Sequence, residues 1–282
     1  MRIAKNQTEL QTELRQRQGH TIGFVPTMGF LHEGHLSLIR KSKQECKATV
    51  VSIFVNPLQF NDQSDLEKYP RNIDGDLALL QAEGVDVVFL PTTNDMYPFD
   101  QPFLTLQMPQ LTHQLCGKCR PGHFDGMMFV VLKLFHIVRP NKAYFGKKDY
   151  QQLAIIKRMV YELSVPVEVI GCDLIREADG LAMSSRNARL TEKGRQQATM
   201  IYRALKLVKK SFDEGKSNIQ ELTEIAKDVI ETEPLNKVEY IEFVNKDTLE
   251  PVLVADNNTL VATAIYTESV RLIDNLELGE RV

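Results

Sequence analysis

Residues 26–39 read Pro-Thr-Met-Gly-Phe-Leu-His-Glu-Gly-His-Leu-Ser-Leu-Ile and directly follow the apolar, β-rich run Thr21–Val25. Leu36, Leu38 and Ile39 begin an apolar pattern with helical spacing, so a strand turns into a helix within this stretch. In an open α/β sheet, ligands bind at such a point, outside the carboxyl end of a strand and over the N-terminus of the next helix. The stretch therefore predicts a ligand site on an α/β fold.

Two histidines, His32 and His35, lie in this turn, together with Gly29 and Gly34. Glycines allow a ligand to approach the backbone, and histidines three residues apart can share a face and donate N–H bonds to a phosphate. Two other interpretations stay open: a zinc pair, although the HExxH spacing is absent, and a polar helix start with Glu33 favoured by the helix dipole. The pattern favours nucleotide binding.

Strand-like and helix-like segments alternate through the first part of the chain. Such alternation predicts a mostly parallel, Rossmann-like, doubly wound α/β sheet. The predicted segments are strand Thr21–Val25, helix Gly34–Cys46, strand Ala48–Val55, helix Asn72–Glu83, strand Val85–Leu90, helix Asp125–Val138, strand Lys142–Phe145, helix Lys148–Leu163 and strand Pro166–Ile170.

The pattern changes near residue 175, after which helices precede strands. This order predicts a smaller α+β domain over residues 175–282, behind a Rossmann-like domain over residues 1–174. The polar, irregular stretch 176–189 contains the boundary. The predicted segments are helices Thr191–Phe212 and Asn218–Thr232 and strands Val238–Val244, Thr259–Ile265 and Val270–Ile273.

Composition is that of an ordinary globular protein: 282 residues, 43% hydrophobic and 25% charged, with a net charge of −3. This charge gives no general attraction to nucleic acid or to an anionic membrane. No apolar stretch approaches the ~20 residues that span a bilayer. The N-terminal residues do not resemble a signal peptide, so we expect a cytoplasmic protein without nucleic-acid or membrane partners.

The cysteines are too few for a disulfide framework, but two of them belong to a spacing that resembles a zinc site. The residues are His113, Cys116, Cys119 and His123. The loop between them is basic and rich in turn-forming residues, as expected for a loop that meets an anionic substrate. We therefore expect no structural zinc here, although the spacing leaves the possibility open.

Three further polar segments lie beside predicted strands. Asn56 and Gln59 follow the second strand, and their amides can both donate to and accept from a hydroxy acid. Two lysines lie in the turn 145–152, where a helix N-terminus disfavours them unless an anion compensates. Segment 181–187 offers two hydroxyls and an arginine, which together suit a phosphate. Each segment alone is also compatible with an ordinary loop or cap.

Taken together, these motifs resemble the pantoate–β-alanine ligase family of the nucleotidyltransferase superfamily. The resemblance covers almost the whole chain. It rests on PTMG-x-LHEGH at 26–35, SIFVNPLQF at 52–60, YPR at 69–71, RPGHF-x-G at 120–126, FG-x-KDYQQL at 145–153 and READGLAMSSRN at 176–187.

The resemblance implies a two-step reaction. ATP and pantoate give pantoyl adenylate and pyrophosphate, and the amine of β-alanine then attacks the adenylate to give AMP and pantothenate, a coenzyme A precursor. It also implies a homodimer, Mg²⁺ held chiefly by phosphate oxygens rather than by protein ligands, and a C-terminal domain that closes as a lid.

The resemblance further implies roles for individual residues. The catalytic residues are His35 as the usual candidate acid, with His32, Lys148 and Arg186. Pantoate is held by Gln59 and Gln152, with Asn56 also at the substrate, and Gln59 lies near the incoming amine. The ATP site comprises Met28, Gly29, Phe30, Leu31, His32, Glu33, Gly34, His35, Gly146, Lys147, Lys148, Asp149, Ile175, Met183, Ser184, Ser185 and Arg186.

Two residues depart from the family pattern. Lys147 stands where glutamate is common, and Phe30 stands where a small residue is usual. Two rival functions remain: a nucleotidyltransferase for a phosphorylated substrate, and a silent nucleotide-binding module. The neutral side chains of Asn56, Gln59 and Gln152 argue against the first, and the presence of both histidines, Lys148 and Arg186 argues against the second.

Overall fold

The computed structural model describes residues 1–99 and 102–280. The chain forms two compact units. The N-terminal unit comprises residues 1–112, 117–147 and 152–173, and the C-terminal unit comprises residues 113–116, 148–151 and 174–282. The predicted division at residues 174 and 175, and the lid role of the second domain, stay predictions.

The N-terminal unit contains a six-stranded sheet in the order β1-β4-β3-β2-β5-β6. All of its strand pairs are parallel, which confirms the predicted Rossmann-like α/β class. Every residue of the third strand is buried, as expected of a strand covered on both faces. The strands are β1 Arg2–Ala4, β2 Ile22–Thr27, β3 Ala48–Ile53, β4 Val87–Phe89, β5 Lys142–Gly146 and β6 Glu168–Cys172.

The helices that precede residue 175 follow the predicted pattern with several additions. The predicted helix Lys148–Leu163 begins as a 3₁₀ turn, Lys147–Asp149, and only then becomes α-helical. Another 3₁₀ turn, Pro57–Gln59, follows β3. The helices are α1 Gln7–Arg15, α2 Glu33–Glu45, α3 Gln63–Glu67, α4 Ile73–Ala82, α5 Thr93–Met96, α6 Pro109–Thr112, α7 Leu115–Cys119, α8 His123–Val138 and α9 Tyr150–Glu162.

The C-terminal unit contains helices and a three-stranded antiparallel sheet in the order β7-β8-β9. This confirms the predicted smaller α+β part. Its core includes Leu205, Leu222 and Ile265, which are fully or almost fully buried. The elements are α10 Glu192–Gln197, α11 Met200–Asp213, α12 Ile219–Glu231, β7 Asn236–Asn245, β8 Thr259–Thr267 and β9 Val270–Glu277.

The prediction of one continuous helix over Thr191–Phe212 is wrong, because the helix breaks between α10 and α11. The carbonyl of Gln197 accepts a bond from the Asn236 side chain at 2.9 Å, and the Gln197 side chain accepts from the backbone of Leu235 at 3.0 Å. The Ile201 N–H, which in a continuous helix would donate to the Gln197 carbonyl, donates to the Ala198 carbonyl instead. The tertiary partner therefore replaces one helical bond, which apolar periodicity cannot reveal.

No helix within residues 1–99 and 102–280 is long and apolar enough to cross a bilayer.

Candidate active site

The turn between β2 and α2 is the expected ligand turn, and its backbone is unusual. Gly29 has φ +80° and Phe30 has φ +51°, so both lie in the left-handed region. For phenylalanine this conformation is unfavourable unless the surroundings hold it. Phe30, which stands where the family usually has a small residue, is thus a bulky residue in a left-handed backbone conformation.

Asp76, from α4, holds this turn. Its carboxylate accepts the backbone N–H of Phe30 at 2.8 Å and that of Leu31 at 2.7 Å. The side chain is only 3% exposed, and burial raises the pKa of its carboxyl while the two backbone bonds oppose the rise. A Cβ on Gly29 would lie 2.9 Å from an Asp76 oxygen, so glycine leaves room for the carboxylate. Sequence analysis did not identify Asp76.

We expect Asp76→Asn to lower the free energy of unfolding by about 2–4 kcal/mol. Asparagine retains one acceptor, but its NH₂ group faces a backbone N–H and leaves that donor unsatisfied. Urea-induced unfolding measures the effect. Asp74→Asn, at an exposed position of the same helix, is the control. Equal unfolding midpoints for the two variants would contradict this role of Asp76.

His32 and His35 lie at the N-terminus of α2, with His32 as its N-cap residue. Their ring centroids are 4.1 Å apart. The backbone N–H of His32 donates to Nδ1 of His35 at 3.3 Å. In the neutral His35 ring the proton is then on Nε2, so Nε2 is the ring nitrogen that can donate. The structure therefore brings the two predicted histidines together at the start of α2, and their role toward a ligand stays a prediction.

The other residues assigned to this part of the ATP site have different environments. Leu31 and Gly29 are buried, whereas Met28 and Gly34 are half-buried. Glu33 forms an ion pair with Arg40, which also pairs with Glu83 at 2.5 Å. The Glu33 carboxylate thus stabilises the helix start, and its role toward ATP stays a prediction.

Asn56 and Gln59 lie just after β3. Asn56 precedes the 3₁₀ turn as its N-cap residue, and Gln59 is the last residue of the turn. They are only 1% and 8% exposed. Nδ2 of Asn56 donates to Oε1 of Gln59 at 3.1 Å, and Nε2 of Gln59 donates to the Met28 sulfur at 3.0 Å. The structure therefore places the predicted pantoate-binding amide beside a residue predicted for the ATP site.

The motif at 120–126 supports the 3₁₀ turn from the other side. Nδ1 of His123 donates to the carbonyl of Gln59 at 2.6 Å, and its Nε2 accepts from Arg120 at 3.0 Å. Because a guanidinium only donates, His123 is a neutral ring with its proton on Nδ1. At Gly126, an added Cβ would lie 2.1 Å from the carbonyl oxygen of Leu58, so α8 lies directly against the turn.

The zinc-like spacing is divided between the two units. His123 bonds to Gln59 and Arg120, as described above, whereas Cys116 lies 3.0 Å from the hydroxyl of Tyr240 within the C-terminal unit. Over residues 1–99 and 102–280, no three His, Cys, Asp or Glu side chains form a group that could hold a metal ion.

We therefore expect the purified protein to contain no stoichiometric zinc. Thiolate and imidazole ligands of a structural zinc must converge on one ion. Elemental analysis of the protein after dialysis is the measurement, with the Cys116→Ser variant measured alongside. About one zinc per chain, lost in that variant, would revive the metal site.

Residues 146, 147 and 152 belong to the N-terminal unit. Gly146 ends β5, and Gln152 is half-buried on α9. Nζ of Lys147 lies 3.2 Å from the Asp173 carboxylate, so this departure from the family pattern has a local counter-charge. Because the Asp173 side chain is exposed, this ion pair contributes at most about 1 kcal/mol to stability.

Lys148 and Asp149 belong to the C-terminal unit. The carbonyl of Lys148 accepts a bond from Asn275 at 2.8 Å, which ties the backbone of the turn to β9. Nζ of Lys148 lies 3.7 Å from the Asp149 carboxylate. Asn275 is thus a positioning partner that the motif at 145–153 does not reveal.

The segment 175–186 forms an irregular hairpin that ends in a 3₁₀ turn. Met183 N–H donates to Ile175 at 3.0 Å, and the hydroxyl of Ser184 accepts the Arg186 N–H at 3.2 Å. Arg176, at the base of the hairpin, pairs with the buried carboxylate of Asp274 at 2.6 Å. The structure thus brings the predicted residues Ile175, Met183, Ser184, Ser185 and Arg186 together in one anchored segment.

In a parallel α/β sheet, the N-terminus of a helix that follows a central strand is where nucleotides bind, and here this position holds a histidine pair, as in the class of α/β nucleotide-binding proteins. The family model described as Pantoate-beta-alanine ligase matches residues 2–277, and the chain belongs to that family. Membership makes it a ligase that joins pantoate to β-alanine in an ATP-dependent reaction.

Relatives and solved structures agree with this assignment. A pantothenate synthetase from Caldicellulosiruptor saccharolyticus is 51% identical over 262 residues, covering 93% of this chain and 92% of the relative. A crystal structure of pantothenate synthetase from Thermus thermophilus is 40% identical with TM-score 0.93, covering 99% of this chain and 100% of that one. A Francisella tularensis pantoate–β-alanine ligase, described as complexed with β-γ ATP and β-alanine, has 38% identity, TM-score 0.84 and coverages of 100% and 99%.

Proposed function

We propose that the chain carries out the ligation in two steps through a non-covalent pantoyl adenylate. The carboxylate of pantoate attacks the α-phosphate of ATP and releases pyrophosphate. The amine of β-alanine then attacks the acyl carbon and releases AMP. The observation that carries the proposal is the adjacent pair His32 and His35 at the N-terminus of α2 in a chain of this family.

The residues suit the charge that this chemistry develops. Attack on the α-phosphate builds negative charge on phosphoryl oxygens, which N–H donors and fixed cations stabilise. We propose His35 as the acid, with His32, Lys148 and Arg186 stabilising the phosphates and Asp149 binding the ribose. The hydroxyls of Ser184 and Ser185 complete the phosphate-binding segment, and Met28 with the 29–35 backbone contacts the nucleotide.

The substrate side chains favour a hydroxy acid over a phosphorylated acceptor. Asn56 and Gln59 are neutral amides with a hydrogen bond between them, and Gln152 is neutral as well. A phosphorylated acceptor would need cationic partners at this place. The presence of the donors and cations expected for catalysis likewise argues against a silent binding module.

Three further properties belong to the proposal. Mg²⁺ would be held chiefly by triphosphate oxygens and would neutralise their charge. The family resemblance also supports a homodimer in the cytoplasm. Light scattering of the purified protein tests the dimer directly.

One assay tests the proposed function. The release of AMP from ATP is measured in the presence of Mg²⁺. One reaction contains both pantoate and β-alanine, and in two others one of these substrates is omitted. We expect sustained AMP release only when both are present. Release that needs a phosphorylated acceptor instead, or no release with any acid, would overturn the proposal.

We expect Gln59→Ala and Gln152→Ala to impair pantoate use mainly, lowering kcat/KM for pantoate by about 10- to 100-fold. Each variant removes a polar partner of the substrate hydroxyls or carboxylate. Calorimetry with ATP should show nearly unchanged affinity. An equal loss of ATP affinity in either variant would contradict its assignment to the pantoate site.

A further inference from the structure

The amide of Asn56 has a single possible orientation. Its Oδ1 accepts the backbone N–H of Leu58 at 3.3 Å, and its Nδ2 donates to the backbone carbonyl of Gly126 at 3.1 Å. A backbone N–H can only donate and a carbonyl can only accept, so these two contacts distinguish the oxygen from the nitrogen. Asn56 is only 1% exposed, so we expect it to influence a substrate through the protein groups that it contacts and not by direct contact.

The orientation of Asn56 fixes that of Gln59. Since Nδ2 of Asn56 donates at 3.1 Å, the atom of Gln59 that faces it is the acceptor Oε1. Nε2 of Gln59 is then directed to the other side, where it donates to the Met28 sulfur at 3.0 Å. A thioether is a weak acceptor, so a carboxylate or hydroxyl oxygen of a substrate would form the stronger bond.

Tyr97 completes this arrangement from outside every motif in the sequence. Its hydroxyl donates to Oδ1 of Asn56 at 2.7 Å, and the side chain is 6% exposed. Burial raises the pKa of the phenol, so it stays protonated and remains a donor. The ring packs beside Phe54 and Phe129, with centroid distances of 6.0 and 6.1 Å, so the ring has its own packing apart from the hydroxyl.

We propose that Tyr97 is a positioning residue for pantoate recognition: through Asn56 it holds the amide of Gln59 so that Gln59 offers N–H donors to an oxygen of pantoate. The inference rests on the proposed function. Gln59 then donates to an oxygen of pantoate, and Asn56 acts indirectly by orienting the Gln59 amide.

The test is a double-mutant cycle of Tyr97→Phe and Gln59→Ala, followed by steady-state AMP release. We expect Tyr97→Phe alone to lower kcat/KM for pantoate by about 5- to 20-fold, mainly through KM, with KM for ATP changed by less than about twofold. In the Gln59→Ala background the same substitution should change kcat/KM by less than about twofold, because the group that it positions is gone.

Tyr144→Phe is the matched control, because Tyr144 is a fully buried tyrosine of β5 whose hydroxyl donates to Glu45 at 3.1 Å. It should leave KM for pantoate unchanged. The same loss from Tyr97→Phe in both backgrounds, or an equal rise in KM for ATP, would overturn the positioning role. A wild-type protein without pantoate-dependent turnover would instead overturn the proposed function.

Discussion

His35→Ala is expected to slow adenylate formation by about 10²–10⁴-fold, the usual range for the loss of an acid or charge-stabilising group. The Nδ1 atom of His35 accepts the His32 backbone N–H. In the proposed mechanism, the Nε2–H of the same ring donates to phosphoryl oxygens at the start of α2. Alanine removes this donor. Pyrophosphate release in a single turnover, with enzyme in excess over ATP and saturating pantoate, measures the step without the contribution of product release.

His136→Ala provides the control, because His136 is exposed on α8. Its single-turnover rate should equal that of the wild type. His35 is half-buried, so the fold of the variant should survive, and circular dichroism verifies this. Near-normal adenylate formation in folded His35→Ala would remove His35 from the mechanism.

The second large effect concerns Arg186 and the order of the two steps. With ATP, Mg²⁺ and pantoate but no β-alanine, the wild type should release a burst of about one pyrophosphate per active site, because adenylation needs no amine. Arg186→Ala should slow this burst by about 10²–10³-fold, since a fixed cation at the phosphates is lost. Attack of β-alanine on preformed adenylate should be less affected.

Rapid quench separates the two steps, and Arg189→Ala is the matched control, because Arg189 ends the same 3₁₀ turn outside the assigned set. Two results would refute the adenylate mechanism. One is pyrophosphate that forms only when β-alanine is present. The other is a pantoyl group that stays attached to the denatured protein, which would reveal a covalent acyl enzyme.

Local sequence patterns predicted much of this structure. The β2–α2 turn and the buried strand β3 follow from apolar runs, because a strand covered on both faces needs apolar side chains throughout. Strand β1 and helix α1 were not predicted. The three-residue β1 is too short for a periodic signal, and it pairs with β4 more than eighty residues later in the chain.

The contacts that shape the site were less accessible to sequence analysis. Asp76 reaches the β2–α2 turn across 46 residues, and Tyr97 reaches Asn56 across 41. Such contacts depend on how a helix or loop packs, and no local spacing encodes them. Asp76 lies shortly after the YPR motif at 69–71. That motif draws attention to this part of the chain but does not indicate that Asp76 binds the β2–α2 turn.

The close approach of α8 to the 3₁₀ turn has an evolutionary consequence. At Gly126 even a methyl group would collide with the Leu58 carbonyl, whereas at Gly122 nothing lies within 4 Å of an added Cβ, although its φ of +78° strains other residues. A saturation library should thus find no viable replacement at Gly126 and a few, asparagine first, at Gly122. Among active variants, the backbone contact between Gly126 and Leu58 should then stay constant while the side chains around it change.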